Sequence, residues 1–246
     1  MAHQEEELTE PQARDFQDLC ERRRNGEPIA YILGSAWFYG REFFVNNAVL
    51  IPRPQTEHLM DEALRFIRGA MRVLDVGTGC GAIACTIAAA TTALVDATDI
   101  SPAAIETANE NARRLGVAER CRFHIGDLAE PLGNRRFDLV IANLPYIPTR
   151  DLPKAPDPTS FEPRAALDGG LDGLVVYRRF LPKLPSLVND GAEVLLEAAP
   201  PTIFQLAEAV RSTFPTFRIS VGKDYSGLER FVKASAAGDR PAPAAA

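Results

Sequence analysis

At 246 residues, 46% of them hydrophobic, the chain can bury one sizeable core and carry a small appendage. With 27 Lys and Arg against 33 Asp and Glu, its net charge of -6 argues against nucleic-acid binding driven by bulk charge and leaves room only for a local basic patch. No stretch approaches the roughly 18 uninterrupted apolar residues of a membrane span, and the acidic start "MAHQEEELTE" is unlike a basic leader, so a cytoplasmic protein without membrane contact is expected.

In chain order, residues 11–25 read as an amphipathic helix with Phe16, Leu19 and Cys20 on its apolar side, stopped by Gly26 and Pro28. The aromatic and β-branched stretch 31–54, broken by turn residues, reads as a hairpin or short strands. Thr56 is placed to cap a helix over 57–68. From Met71 onward, apolar runs at 71–76, 92–99, 121–127, 137–143 and 192–198 alternate with helical patterns at 81–90, 102–115, 172–187 and 202–213. Such uninterrupted runs suit parallel strands covered on both faces. Two further strands are expected at 216–221 and 228–235, followed by a disordered tail over 236–246. The layout is a doubly wound α/β fold, whose ligands sit at the C-terminal ends of the strands. Cys20, Cys80, Cys85 and Cys121 show no C-x-x-C spacing and are expected to be free thiols. Three histidines offer little to a zinc site, and no metal is expected.

The chemistry gathers at the strand ends. "VLDVGTGCGAIA" puts Gly77, Thr78, Gly79 and Gly81 between a strand and a helix. Glycines there let the backbone turn tightly and approach a ligand, and the helix start offers free N–H groups. The glycines are spaced two and two, unlike the dinucleotide fingerprint G-x-G-x-x-G. Asp75 just before the turn would repel a pyrophosphate and welcome an amine-bearing or cationic ligand. Asp99, followed by Ile100, ends the next strand, where an acid can accept both hydroxyls of a ribose. Asp127 ends the third, suited to an adenine amino group, with Leu128 packing beside the base. Three acids and a glycine turn together suit a nucleoside with a positively charged, non-phosphate side chain, such as S-adenosylmethionine.

The strand "FDLVIAN" then stops on Asn143, Leu144, Pro145 and Tyr146. An NH2 group on a planar carbon is a poor nucleophile, so a site must hold both its N–H groups on acceptors and aim the nitrogen at the methyl. The Asn143 oxygen can be one acceptor and the Leu144 carbonyl the other. Pro145 restricts Leu144 to extended backbone, and Tyr146 can stack on the planar group. Neutral acceptors suffice, because orientation and not a strong base is what the reaction needs.

These residues resemble the release-factor glutamine N5-methyltransferases, within the class I S-adenosylmethionine-dependent methyltransferases. The resemblance rests on "RRRNGEPIAYILG", "FYGREFFVNNAVLIPRPQTE", "LDVGTGCGAIA", "ATDISPAAIETANENARRLGV", "FDLVIANLPYIP" and "FEPRAALDGGLDGLVVYRRFL" and covers nearly the whole chain from Leu8 to Lys233. It implies a seven-stranded, mostly parallel, Rossmann-like sheet whose last strand is antiparallel, preceded by a short helix and hairpin. It implies S-adenosylmethionine as donor and S-adenosylhomocysteine as product. Asp75, Gly77 and Gly79 would line the methionine end, Asp99 the ribose and Asp127 the adenine, while Asn143, Pro145 and Tyr146 hold the acceptor amide. Arg53, Pro54, Thr56 and Glu57 would wall the acceptor pocket, with Phe161, Glu162 and Pro163 as its flanking loop. The implied domains are 1–30, a remnant of a helical substrate-docking domain; 31–69, hairpin, linker and first core helix; and 70–235, the methyltransferase domain.

The sequence departs from the pattern at Leu144, which stands where a proline is usual, at Gln55 in "RPQTE", and after "VLLEAAPPTIFQ", which lacks a Gly-x-x-Gln-like turn. It also has a shortened helical segment before "GEP". The expected acceptor is a glutamine of a protein, foremost a peptide chain release factor. A small-molecule amide or amine and the N6 of a nucleic-acid adenine remain the alternatives.

Overall fold

A computed structural model describes residues 8–236. Helix α1 spans Glu10–Arg24, opened by a capping box in which the Thr9 N–H donates to Gln12 Oε1 at 2.9 Å. None of its residues is buried, and Phe16 is 59% exposed. Its expected apolar side therefore faces no core. The next segment corrects an expectation: residues from Tyr31 to Leu33 belong to a short helix, α2 (Ile29–Leu33), ended by left-handed Gly34. Only then does the hairpin begin, β1 (Ser35–Phe38) pairing antiparallel with β2 (Arg41–Phe44). Helix α3 covers Glu57–Phe66, and Thr56 is not its cap: its side chain makes no capping bond, and it ends a 3-10 turn begun by Pro54.

The core is a seven-stranded sheet of β3 (Arg72–Val76), β4 (Leu94–Asp99), β5 (Cys121–Ile125), β6 (Phe137–Ala142), β7 (Val188–Glu197), β8 (Phe217–Lys223) and β9 (Glu229–Ala236). Their spatial order is β5-β4-β3-β6-β7-β9-β8. The first five are mutually parallel, and β9 runs antiparallel to both neighbours, β7 and β8. Strand β9 includes Ala236; the rest of the expected tail lies outside the described residues.

Helices cover both faces, which explains why the strands read as unbroken apolar runs. On one face α3, α4 (Ala82–Ala90) and α5 (Pro102–Arg114) pack with the hairpin through Phe38, Phe43, Leu59, Met60 and Ile87. On the other lie α7 (Val175–Phe180), α8 (Leu184–Leu187) and α9 (Ile203–Thr213), which follow the one-turn α6 (Arg164–Leu167). The helix expected over 172–187 is broken, because Pro182 and Pro185 each remove an N–H donor and a 3-10 turn at Leu181–Lys183 joins the pieces. Cys80, Cys85 and Cys121 are buried free thiols, and Cys20 is a partly exposed one. No helix among the described residues is long and apolar enough to cross a membrane.

Because β3, β4, β5, β6 and β7 are parallel, their C-terminal ends meet along one edge of the sheet. Asp75 and the glycine turn, Asp99, Asp127, Asn143 and Glu197 are thereby assembled from stretches far apart in sequence.

Candidate active site

The turn after β3 is held by backbone. The N–H groups of Gly77 and Thr78 donate to the Thr98 carbonyl at 2.9 and 3.0 Å, and Gly81 N–H donates to the Thr78 carbonyl at 2.9 Å. Gly77 and Gly81 have φ of +75° and +80°, the left-handed region that side chains disfavour. A Cβ on Gly77 would also sit 3.0 Å from the Leu144 side chain, so the two halves of the site touch here. Above Gly79 the space is open, with no heavy atom within 4 Å of where its Cβ would stand.

Asp99 closes β4 beside this turn. Its Oδ2 accepts from Gly79 N–H and its Oδ1 from Ser101 N–H, each at 2.9 Å, leaving each oxygen a further lone pair. Burial pushes its carboxyl above the usual range, with those N–H groups opposing. Ile100 next to it is 63% exposed, an apolar surface beside a carboxylate. Asp75 is not on the wall of the cleft as expected but wholly buried beneath the turn. Its Oδ2 accepts from the Thr78 hydroxyl at 2.6 Å while Oδ1 has no well-formed partner. Burial drives its carboxyl up to about 7. Asp127, expected to be open to an adenine, is ion-paired with Arg179. Its neighbour Leu128 is a buried non-glycine residue at φ +52°, a conformation that costs about 1–2 kcal/mol.

A cleft lined by Phe38, Pro52, Arg53, Thr56, the Gly77–Cys80 turn and Asn143 joins the two halves. Asn143 follows directly on β6, its Nδ2 donating to Thr56 Oγ1 at 3.1 Å. Thr56, expected as a cap and pocket wall, is therefore the direct partner of the amide. Leu144 is buried, and its N–H donates to the Tyr177 hydroxyl at 3.3 Å. That hydroxyl also lies against the carbonyls of Ala142 and Glu197, lacing the ends of β6 and β7 together. Tyr146 points its hydroxyl at Glu197 Oε1, 3.3 Å away. Behind Tyr146 runs the glycine loop 169–173, where a Cβ on Gly173 would lie 2.3 Å from the Tyr146 carbonyl oxygen.

The flanking residues serve the wall in different ways. Arg53 forms an ion pair with buried Glu162 at 2.6 Å, and Ile51 N–H donates to the same carboxylate at 3.4 Å. Burial raises the Glu162 carboxyl while Arg53 counteracts. Glu57 accepts from Tyr39 N–H at 2.7 Å, a bond to the hairpin and not to the cleft. Phe161 is 39% exposed and packs near Gly26, and Pro163 opens α6. The residues that sequence reasoning missed are Glu197, Tyr177 and the glycine loop. A charged residue closing the apolar run "AEVLLEA" was the available signal for Glu197.

The chain's own geometry fits an adenosyl sulfonium. A carboxylate with spare lone pairs stands beside an exposed apolar surface, and the glycine turn opens toward the amide of Asn143. Fold and site together define a class I S-adenosylmethionine-dependent methyltransferase. A methyltransferase-domain family model matches residues 67–171, and a PrmC N-terminal domain model matches residues 1–34. The release factor glutamine methyltransferase of Geobacter sulfurreducens is 46% identical over 181 residues, covering 73% of this chain and 63% of that protein. That of Bacillus cereus is 39% identical over 236 residues, covering 92% of this chain and 83% of its own length. A crystal structure of a methyltransferase from Pyrococcus furiosus shares the fold, with a TM-score of 0.61 at 17% identity over 89% of this chain and 98% of that one. The chain belongs to the release factor glutamine methyltransferase family.

Proposed function

We propose that this chain methylates the side-chain amide nitrogen, N5, of a protein glutamine, and that the protein is a peptide chain release factor. The release factor is taken from the names of the relatives. The observation that supports the chemistry is the Asn143 amide at the cleft, whose NH2 donates to Thr56 and whose oxygen has no protein donor of its own among the described residues to compete with a substrate amide.

When bound, S-adenosylmethionine supplies an electrophilic methyl group. Asp99 would accept the ribose hydroxyls, Ile100 and Leu128 would pack against the adenine, and Asp127 would take its amino group in exchange for Arg179. The backbone of Gly77, Thr78 and Gly79 lines the methionine end, Gly81 opens α4, and Asp75 supports the turn from beneath. On the other side, the Asn143 oxygen and the Leu144 carbonyl accept the two N–H groups of the glutamine amide. Pro145 fixes the direction of that carbonyl, and Tyr146 stacks on the amide plane. The Arg53–Glu162 pair holds the pocket wall, with Pro54 and Thr56 on one side and Phe161 and Pro163 on the other. Held so by Asn143 and Leu144, the amide nitrogen would be aimed at the methyl carbon; the donor would supply that methyl and leave as S-adenosylhomocysteine, and the nitrogen would give one proton to water.

The test is to incubate the protein with labelled S-adenosylmethionine, a release factor, free carboxamides and an adenine-containing RNA. Label on a release-factor glutamine is expected; label only on the small amides or on the RNA overturns the acceptor assignment. In the same assay Asn143→Ala should bind S-adenosylmethionine normally by calorimetry and lose on the order of a hundredfold in transfer, since orientation is what it removes. Unchanged turnover would remove Asn143 from the acceptor site.

A further inference from the structure

Glu197 lies outside the machinery just described, yet it sits directly beneath it. Strand β7 pairs in register with β6, Ile141 opposite Leu195 and Ala142 opposite Leu196, so the next residue of β7 comes up beside Asn143. Glu197 is 1% exposed. Its Oε1 receives the Tyr146 hydroxyl, and its Oε2 is buried with no well-formed partner. The side chains of Thr56 and Asn143 lie near enough to favour its charged form. We propose that Glu197 is a positioning residue for the acceptor site: as a carboxylate it keeps the Asn143 amide turned with its NH2 inward and its oxygen toward the substrate amide.

An asparagine side chain fits its space almost equally well with oxygen and nitrogen exchanged, so the groups behind it decide which end faces out. Thr56 cannot decide alone, because a hydroxyl both donates and accepts. An ionised carboxylate only accepts. With Glu197 charged, the Thr56 proton and the Asn143 NH2 both point inward, and Asn143 Oδ1 is left for the acceptor N–H. A protonated Glu197 becomes a donor, and Asn143 Oδ1 gains a reason to turn toward it.

The charged and titratable groups around Glu197 are few. Arg230 on β9 favours the carboxylate, and its own Nε donates to Asp224 at 3.2 Å. The Tyr146 hydroxyl bonds to it, and the Tyr177 hydroxyl lies against its backbone carbonyl. Burial outweighs these attractions and drives the carboxyl up to about 7. The orientation of Asn143 is therefore set by a proton that comes and goes near neutrality.

The inference rests on the acceptor reading above, and its test separates the two. In 15N-labelled protein, the Asn143 side-chain amide resonance should move in one step centred near pH 7, and kcat with the release factor should rise through the same step. Glu197→Gln, similar in size but unable to ionise, should lose both steps. It should lower kcat by between about tenfold and a hundredfold while leaving S-adenosylmethionine affinity unchanged. A Glu197→Gln enzyme that keeps the wild-type rate and pH profile overturns the proposal. If that variant does not fold, an Asn143 resonance that stays fixed through neutrality in the wild type overturns it. If the release factor is not methylated, the acceptor reading fails, and the resonance, which needs no acceptor, still decides the role of Glu197.

Discussion

The two sides of the cleft are built from different materials. The glycine turn is secured by backbone: N–H groups of Gly77, Thr78 and Gly81 on carbonyls, and Gly79 N–H on Asp99. The acceptor side is secured by side chains from separate segments: Thr56 on Asn143, Tyr177 on the Leu144 N–H and Glu197 on Tyr146. Backbone bonds do not depend on which side chain a position carries, only on its φ and ψ. The turn should therefore tolerate change outside its glycines and its two carboxylates, Asp75 and Asp99. The acceptor side should respond to substitutions far along the chain.

The strongest way to break that contrast is Gly173→Ala. Gly173 has φ +81°, and an added Cβ would press to 2.3 Å on the Tyr146 carbonyl oxygen, a backbone atom that can yield only by moving the loop. We expect kcat to fall on the order of a hundredfold, the cost of a displacement of about 1 Å at reacting groups. Calorimetry should show S-adenosylmethionine binding little changed, because the turn stands on separate bonds. A parallel loss of cofactor affinity would mean that the two sides are one unit.

The reciprocal variant is Asp99→Ala, which removes the acceptor of Gly79 N–H and Ser101 N–H on the cofactor side. Affinity for S-adenosylmethionine should drop at least about tenfold, as loss of a hydrogen-bonded charged group costs about 1.5–3 kcal/mol. kcat at saturating donor should hold. Equal affinity in a calorimetric titration would deny Asp99 any role in binding.

This contrast also explains how much the sequence made legible. Elements built on local rules could be read directly. The glycine turn, Asp99 at its strand end, the parallel order and the stop at Asn143 follow from periodicity, turn chemistry and the position of charges. What failed depended on packing between segments. Thr56 looked like a helix cap because Glu57 begins a helix, but its hydroxyl is drawn to an amide 87 residues away. Asp75 looked exposed to the ligand because it precedes the turn, yet β3 is covered on both faces and buries it. Glu197 and Tyr177 acquire their role only when β7 is laid beside β6. The helix over 172–187 kept its apolar pattern, while Pro182 and Pro185 broke it locally.

A smaller effect comes from Asp75. Its carboxyl titrates near 7 in the fold and near the ordinary value of 3.8 in the unfolded chain. Folding thus favours the protonated form, and stability falls as pH rises from about 4 through about 7. The linkage amounts at most to about 4 kcal/mol, three units at about 1.4 each. Asp75→Asn cannot ionise and keeps an oxygen for the Thr78 hydroxyl. The ligand-free variant should already melt a little higher than wild type at about pH 5, where the first unit or so of the linkage is lost, and markedly higher at about pH 8, at about 2–4 °C per kcal/mol. A difference in Tm that is the same at both pH values would show that Asp75 stays charged beneath the turn.

The smallest expected effect tests the outer edge of the cofactor side. Asp127 is paired with Arg179, and the two side chains keep 28% and 55% of their exposure. An exposed pair of this kind contributes about 0–1 kcal/mol, so Arg179→Ala should leave Tm almost unmoved. What it changes is competition. If the Asp127 carboxylate takes the adenine amino group, removing Arg179 frees it and S-adenosylmethionine affinity rises by less than about tenfold, one hydrogen bond's worth. Asp127→Asn, which replaces a carboxylate by an amide, should move affinity the other way. If both variants weaken binding, the pair acts as a unit and Arg179 belongs to the nucleoside site. The sign of the Arg179→Ala effect therefore separates a carboxylate waiting for its ligand from one already satisfied by the protein.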